Sequence, residues 1–164
     1  TCHEIELAVE VVRVERARIG DARECGRLVL FFLIDCGVPE HVRRLSGRRS
    51  GNLLPINVLI QVNVSGEASK SGVAAGDVSS LSESIRKLPR LHLRGLMAIP
   101  EPGADRARYR ELKNLFETLK DRFQFDTLSV GMSDDLELAV AEGATMVRIG
   151  TAIFGAREKI RPAA

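Results

Sequence analysis

The sequence is poor in aromatic residues and cysteine, and each scarcity excludes a class of function. Trp is absent and aromatic residues make up 4% of the 164-residue chain, which argues against the stacking platforms that bind single-stranded nucleic acid. The three cysteines, Cys2, Cys25 and Cys36, are odd in number and form no C-x-x-C pair. Neither a disulfide framework nor a metal site is therefore expected, and a reducing cytoplasm is the expected location.

The chain also lacks a long apolar run and a strong excess of charge. Its longest apolar run, Leu28 to Ile34, is too short to cross a bilayer, and the mixed Glu and Arg residues from Val9 to Arg18 do not predict a signal peptide. A net charge of +2 does not by itself imply a nucleic acid or a membrane as partner. The 45% hydrophobic content indicates a globular fold instead.

From residue 56 onward the apolar pattern alternates between strand and helix. Strands are predicted at Ile56 to Val64, Leu91 to Ile99, Thr127 to Gly131 and Thr145 to Ile149. Helices are predicted at Asp77 to Leu88, at Asp105 to Phe123, and from a cap at Ser133 to Gly143. This order implies a parallel sheet with right-handed crossovers, whose ligand sites lie at the carboxyl ends of the strands.

The pattern before residue 52 is less regular. Glu4 to Arg18 is interpreted as a helix and Leu28 to Ile34 as a strand. The basic stretch His41 to Ser50 is either a patch that contacts phosphate or nucleic acid, or a solvated loop. The loop is favoured because no aromatic residue is interleaved with the charges.

Two small, polar, glycine-containing tips follow the last two predicted strands. Gly131-Met132-Ser133 ends the first, and Gly150-Thr151 ends the second. A serine at a helix N-terminus offers a hydroxyl and free backbone N–H groups to an anion, and glycine allows a phosphate to approach the backbone. In eight-stranded barrels the loops after strands seven and eight hold phosphate, so Ser133 and Thr151 are expected to converge if these are the last strands. The alternatives are an ordinary N-cap and an ordinary tight turn.

Arg148 is the second kind of candidate, because it lies inside a predicted buried strand. It precedes Gly150 by two residues, so both share one face of that strand. A buried arginine needs a partner, which is either an Asp or Glu in an ion pair or a ligand near the phosphate. The same argument extends to Arg94, just before Gly95.

Three segments resemble the YggS/PROSC family of pyridoxal phosphate homeostasis proteins, which is related to the barrel domain of alanine racemase. They are NVLIQVNVSGEASKSG (57–72), LRGLMAIPEP (93–102) and LSVGMSDDLELAVAEGATMVRIGTAIFGARE (128–158). The resemblance covers residues 57 to 158 and implies an α/β fold, a (β/α)8 barrel of the TIM type. It also implies a protein that binds pyridoxal 5'-phosphate, takes part in vitamin B6 homeostasis and has no catalytic reaction of its own.

The resemblance also implies roles for individual residues. Ser133, Gly150 and Thr151 would bind the cofactor phosphate, and Arg148 would face the pyridine nitrogen. Arginine stays protonated and donates to that nitrogen, which leaves the ring neutral and a poorer electron sink. Met132 would pack near the ring, with simple filling of the core as the alternative.

Two further cofactor-binding candidates lie in the first of these segments. Lys70 belongs to its E-x-x-K-S-G motif, and Asn63 stands at the end of the preceding predicted strand. The alternative for Lys70 is a solvated lysine in a loop.

The resemblance fails toward the N-terminus. The family carries its Schiff-base lysine in a V-S-K-T context on the first strand, but no lysine precedes Lys70 in this sequence. Its G-E-N and H-x-I-G-x-x-Q-x-N-K segments are missing as well. Residues 1–55 are therefore predicted to be divergent or frame-shifted, and residues 56–164 to form the C-terminal half of a barrel that is incomplete.

Several functions remain open at this level. The first is a carrier whose partners are pyridoxal phosphate and pyridoxal-phosphate-dependent apo-enzymes as recipients. The second is a racemase-like or decarboxylase-like enzyme, which needs a second acid or base, although the single tyrosine, Tyr109, lies in a charged helix. The others are a truncated family member that no longer binds the cofactor covalently and an unrelated barrel for sugar phosphates. The oligomeric state is left open.

Overall fold

The computed structural model describes residues 6–8, 31–34, 39–49, 51–66 and 71–149, and in them six strands form one parallel sheet. The strands are β1 (Glu6–Ala8), β2 (Phe31–Ile34), β3 (Ile56–Gln61), β4 (Leu91–Met97), β5 (Thr127–Ser129) and β6 (Met146–Arg148). The helices are α1 (Pro39–Arg48), α2 (Val78–Arg86), α3 (Arg106–Phe123) and α4 (Leu136–Ala141), and a 3₁₀ turn at Ala75–Asp77 precedes α2.

The strand order is β1-β6-β5-β4-β3-β2, and every neighbouring pair is parallel. Strands β3 to β6 are neighbours in chain order, with α2, α3 and α4 as their crossovers, so the predicted alternation is confirmed. Within the described residues, β1 and β2 form the two edges of the sheet. This is the strand and helix arrangement of an incomplete TIM-type barrel.

Two predictions for the N-terminal part are wrong. The helix expected from Glu4 to Arg18 is contradicted at Glu6–Ala8, where the backbone pairs with β6 as a strand. The loop expected at His41 to Ser50 is mostly helix α1. The local sequence pattern gave the wrong prediction for Glu6–Ala8 because β6 offers a free edge for backbone pairing. Such tertiary pairing overrides helix propensity.

Helix α1 forms because its buried and half-buried residues share one face. Val42 and Ser46 are buried and Leu45 is half-buried, while Arg43, Arg44 and Arg48 are exposed. The spacing i, i+3, i+4 is that of an amphipathic helix on a core. The basic residues are solvated as expected, but on a helix and not on a loop.

The sheet has two buried faces of different character. Alternate residues of β3, such as Val58 and Ile60, pack with Leu112 and Phe116 of α3 in the large core between sheet and helices. Leu59, Met97 and Met146 form a small separate cluster. Since side chains alternate along a strand, this cluster marks the other face, which is the inner face of a barrel.

One row of that inner face runs across four strands. Gln61 pairs in register with Met97, Met97 with Ser129, and Ser129 with Met146. Arg148 lies two residues beyond Met146, on the same face and one step closer to the carboxyl edge. The inner face therefore changes from apolar to polar as the strands end.

A bulge in β4 sets this alternation. The register shifts so that Val58 pairs with Leu93 and Leu59 with Gly95, which leaves Arg94 outside the ladder. At Gly95 an added Cβ would lie 1.9 Å from the carbonyl oxygen of Thr127, so only glycine fits. The bulge lets Leu93 and Leu96 both face the helices.

Helix α3 is the longest element among the described residues, with 18 residues. Asp105 is its N-cap and accepts a hydrogen bond from the Ala107 N–H at 3.3 Å, and Gln124 closes it in the left-handed conformation. Its buried residues are Tyr109, Leu112, Phe116, Leu119 and Phe123. Among the described residues, no helix is both long enough and apolar enough to cross a membrane.

Candidate functional site

Arg148 crosses the carboxyl edge of the sheet and joins three strands. Its Nη1 donates to the Ser129 carbonyl oxygen at 3.0 Å and to Ser129 Oγ at 2.8 Å. Its Nη2 donates to the carbonyl oxygen of Ala98, directly after β4, at 2.9 Å. The guanidinium is therefore held in one place at the ends of β4, β5 and β6.

The charge of Arg148 is not cancelled by an ion pair within the described residues. All its hydrogen-bond acceptors there are neutral, and none of its bonds to them uses Nε. Burial lowers the pKa of Arg148 to about 10, and the negative charge of Asp135 opposes this shift. The group remains protonated at neutral pH, and a partly buried cation of this kind attracts an anion or a polar acceptor.

The loop Gly131–Asp135 follows β5 beside this guanidinium. The Gly131 carbonyl oxygen accepts from the Arg148 N–H at 2.9 Å, which ties the loop to β6. Gly131 has a φ of +103°, and an added Cβ would lie 2.5 Å from the Cβ of Ala139, so the loop packs directly on α4. Met132 is 41% exposed. The interpretation of Met132 as core filler is therefore wrong, because its side chain lies at the surface of this edge.

Ser133 does not cap the following helix as predicted. It lies half-buried in a turn, and α4 begins later, at Leu136, with Asp135 in the N-cap position. The reason is the carboxylate of Asp135, whose Oδ1 accepts from the Met132 N–H at 2.5 Å. That bond closes residues 132–135 into a turn and delays the helix.

Tyr109 holds the other oxygen of the same carboxylate. The Tyr109 hydroxyl donates to Asp135 Oδ2 at 2.6 Å, and Tyr109 itself is only 2% exposed. Burial raises the pKa of the Tyr109 hydroxyl, and the hydrogen bond to Asp135 raises it further. Helix α3 is thereby bonded to the loop that contains Met132 and Ser133.

Asn63 shapes the loop after β3. Its Oδ1 accepts from the Gly66 N–H at 3.0 Å, and its own N–H donates to the Val73 carbonyl oxygen at 2.9 Å. Gln61 adds a bond from its Nε2 to the Ser71 carbonyl oxygen at 3.1 Å. The structure therefore places Asn63 at the carboxyl edge of β3, where its amide oxygen bonds to its own loop.

Three predicted residues, Lys70, Gly150 and Thr151, lie outside the described residues. The lysines within the described ranges lie on or directly after helices, and not on the loops that follow the strands. Lys87 follows α2, and Lys113 and Lys120 lie on α3, where both contact Glu117. The described part of the chain contains no group of three side chains suited to a metal ion.

Arg94 has a structural partner. Its Nε bonds to both carboxylate oxygens of Asp126 at 2.6 Å, and Asp126 directly precedes β5. The pair lies at the amino end of β5, away from the edge that Arg148 occupies. Of the two alternatives that the sequence left for Arg94, an ion pair or a ligand contact, the structure shows the ion pair.

Sequence reasoning missed two residues that build this site. Ser129 is fully buried and accepts from Arg148 twice, and Asp135 joins Met132 to Tyr109. Ser129 could have been found from the sequence, because a polar residue at an inner-face position, two residues before Gly131, indicates a buried hydrogen-bond partner. For Asp135 the local sequence holds no such signal, because its partner Tyr109 lies 26 residues earlier in the chain.

The family model for the alanine racemase N-terminal domain matches residues 33–158. The chain belongs to the alanine racemase N-terminal domain family. The match confirms the resemblance found in residues 57 to 158 and extends it upstream through α1. The site described above lies wholly inside the matched segment of this family member.

Several curated relatives share the name pyridoxal phosphate homeostasis protein. The pyridoxal phosphate homeostasis protein of Pseudomonas aeruginosa is 58% identical over 123 residues, which are 74% of this chain and 54% of that protein. The protein of the same name from Escherichia coli is 52% identical over 140 residues, or 80% of this chain and 60% of that protein. The chain thus spans between half and three fifths of the length of these relatives.

Solved structures agree on the fold. PipY of Synechococcus elongatus, solved with pyridoxal phosphate bound, is 27% identical with a TM-score of 0.62, covering 76% of this chain and 60% of that one. Alanine racemase of Corynebacterium glutamicum is 15% identical with a TM-score of 0.57, covering 80% and 37%. The second likeness concerns the fold alone.

Proposed function

We propose that the chain binds pyridoxal 5'-phosphate at the carboxyl edge of its sheet and serves pyridoxal phosphate homeostasis as a non-catalytic carrier. The names of the relatives from Pseudomonas and Escherichia and the ligand of PipY support the choice of cofactor. The observation that carries the proposal is Arg148, a cation fixed by neutral acceptors beside the loop Gly131–Asp135.

The donors at this edge fit such a ligand. A pyridine nitrogen accepts one hydrogen bond, and Nε of Arg148 makes none to a described residue. Because arginine keeps its proton, a ring nitrogen that accepts from it stays unprotonated, and the ring withdraws electrons less strongly. This favours storage over broad amino-acid chemistry.

The phosphate is proposed to bind the loop residue Ser133 together with Gly150 and Thr151. The turn at Ser133 offers a hydroxyl and backbone N–H groups without an α-helix dipole, since α4 begins only at Leu136. The exposed Met132 side chain would cover the ring, for which its soft thioether is suited.

When bound, pyridoxal phosphate supplies an aldehyde that combines reversibly with amines. Lys70 is the proposed amine of this chain, and Asn63, at the end of β3, is proposed to line the same edge. A carrier with a weak covalent link would release the cofactor to pyridoxal-phosphate-dependent apo-enzymes.

A racemase-like reaction is less well supported. It needs a second acid or base across the ring, and Tyr109 is the single tyrosine of the sequence. In the structure Tyr109 is buried and donates to Asp135, so this hydroxyl does not serve that role.

A spectroscopic titration of the chain with pyridoxal phosphate tests the proposal. We expect saturable binding that the double substitution Ser133→Ala with Thr151→Ala abolishes, because both hydroxyls would leave the phosphate. Borohydride reduction and peptide mapping should then trap an adduct at Lys70. Unchanged affinity in the double variant would contradict the phosphate site, and a wild-type chain that does not bind would contradict the function.

Arg148 has a matched control in Arg94, which lies in the neighbouring part of the same sheet. Arg148→Ala should weaken binding at least about tenfold, the effect of losing one hydrogen bond from a charged donor. Arg94→Ala removes an ion pair at the other end of β5 and should leave the affinity unchanged. Equal losses in the two variants would show that general destabilisation, and not a ligand contact, explains the result.

A further inference from the structure

The carboxylate of Asp135 lies within the proposed binding loop and has both oxygens engaged. Oδ1 accepts from the Met132 N–H at 2.5 Å, and Oδ2 accepts from the Tyr109 hydroxyl at 2.6 Å. The Asp135 N–H in turn donates to the Met132 carbonyl oxygen at 3.4 Å. The loop is therefore closed on itself by Asp135 and attached to α3 by Tyr109.

A negative charge at this position is unfavourable for an incoming phosphate. Two like charges a few ångströms apart in a partly buried site repel strongly unless donors satisfy them. The donors that satisfy Asp135 are one backbone N–H of the loop and one phenol from another element. Loss of the phenol would leave the negative charge of Asp135 less satisfied and facing the ligand. It would also leave the loop free to change its conformation.

We propose that Tyr109 is a positioning residue, which holds Asp135 so that the loop Gly131–Ser133 keeps the conformation that receives the phosphate of the ligand. This inference rests on the proposed function for the identity of the ligand. Under this inference, α3 preorganises the anion site through the Tyr109 hydroxyl. Helix α3 makes no other described hydrogen bond to this loop.

Helix α3 is a suitable anchor because it is rigidly packed. It has 18 residues, an N-cap at Asp105 and the buried side chains Leu112 and Phe116 in the main core. A buried tyrosine side chain on such a helix is already held by packing, so it loses little conformational freedom when its hydroxyl forms a hydrogen bond. By contrast α4 has six residues and begins without a side-chain cap bond, so it cannot fix the loop alone.

The protonation of Tyr109 agrees with this role. Burial, Asp135 and the nearby charge of Glu101 all raise the pKa of the phenol. The hydroxyl therefore keeps its proton and remains a donor to Asp135 throughout the neutral range. The charged groups around this end of α3 include Arg106 and Arg110, both paired with Glu142.

The first test compares Tyr109→Phe with Leu119→Val. The first removes only the hydroxyl. The second is a conservative loss of packing on the same helix, more than two turns from Tyr109. Tyr109→Phe should weaken binding of pyridoxal phosphate about tenfold, since a hydrogen bond to a charged group is lost. Leu119→Val should keep the wild-type affinity, and inorganic phosphate should compete less well in Tyr109→Phe than in Leu119→Val.

The second test needs no ligand and separates this inference from the proposed function. Amide exchange at Met132, followed by NMR, should accelerate in Tyr109→Phe and not in Leu119→Val, because the loop opens when Asp135 is released. Unchanged exchange in Tyr109→Phe overturns the inference whether or not the wild type binds pyridoxal phosphate. Faster exchange in a chain that binds no pyridoxal phosphate supports the positioning contact and contradicts only the assigned ligand.

A third comparison tests the electrostatic part of the inference, which is the repulsion between Asp135 and the phosphate. Asp135→Asn in the Tyr109→Phe background removes the charge that the phenol no longer satisfies. The double variant should therefore bind pyridoxal phosphate more tightly than Tyr109→Phe alone, which an effect of packing would not produce. Equal or weaker binding in the double variant would overturn the electrostatic argument.

Discussion

At the scale of single residues, Arg148 combines two properties that seldom occur together. It is fixed by three hydrogen bonds to neutral oxygens, and it keeps its charge, because burial lowers its pKa only to about 10. Arg94, by contrast, is paired with the carboxylate of Asp126. A charged group that is held in place with no ion-pair partner among the described residues is typical of a binding site.

Tyr109 can be observed directly, because the chain has one tyrosine and no tryptophan. Burial and Asp135 raise the pKa of its hydroxyl, so the folded chain should show no tyrosinate absorbance at about pH 10, where a free tyrosine is half ionised. Asp135→Asn should bring ionisation back toward that pH. Half ionisation near pH 10 with native circular dichroism would contradict the buried, bonded phenol.

The same shift has a consequence for stability. The pKa is higher in the folded than in the unfolded state, so its stabilising contribution is fully present below about pH 10 and is lost as the pH rises above it. Tyr109→Phe removes this contribution. The free energy of unfolding of the wild type should therefore fall more steeply above that pH than that of the variant.

At the scale of elements, the bulge in β4 decides which side chains face the site. Arg94 drops out of the ladder, so Met97 faces the inner cluster and Leu96 faces the helices. The bulge depends on the close approach of Gly95 to the Thr127 carbonyl. Its position is thus a property of two strands together and not of β4 alone.

Gly95→Ala should destabilise the chain strongly. An added Cβ would lie 1.9 Å from the Thr127 carbonyl oxygen, so β4 and β5 must separate, at a cost of about 3 kcal/mol. Gly76→Ala is the control, since no atom lies within 4 Å of its added Cβ, and it should change stability by less than about 0.5 kcal/mol. Urea unfolding measures both, and equal effects would contradict the close approach.

At the scale of the whole molecule, ligand binding and folding are linked. The proposed site joins the ends of β4, β5 and β6 through Arg148, contacts that exist only when the sheet is formed. A ligand that binds only the folded chain raises its stability by mass action. Binding should therefore be visible as a change in thermal stability.

Pyridoxal phosphate at about one hundred times its dissociation constant should add about 2.7 kcal/mol and raise the Tm by about 5–10 °C. Arg148→Ala should show a much smaller rise at the same concentration. Differential scanning fluorimetry measures both. An equal rise in wild type and variant would mean that the ligand stabilises the chain from a different place.

The sequence by itself determined the local elements from β3 to β6. The period of the apolar residues in α3 and the β-branched run of β3 depend on neighbours in the chain, and they predicted both elements to within a few residues. The chain order of strands and helices implied a parallel sheet, and this predicted Met132, Ser133 and Arg148 at its carboxyl edge. The motifs of residues 128–158 then identified the family.

Only the tertiary structure decided the partners of these residues. Arg148 bonds to Ser129 and Ala98, which lie 19 and 50 residues away, and Tyr109 bonds to an aspartate 26 residues away. It likewise turned Glu6–Ala8 into a strand on β6 and held Ser133 in a turn. The physical reason is the same in each case: periodicity reports which face of an element is buried, whereas hydrogen bonds between elements depend on which strands and helices come to lie side by side.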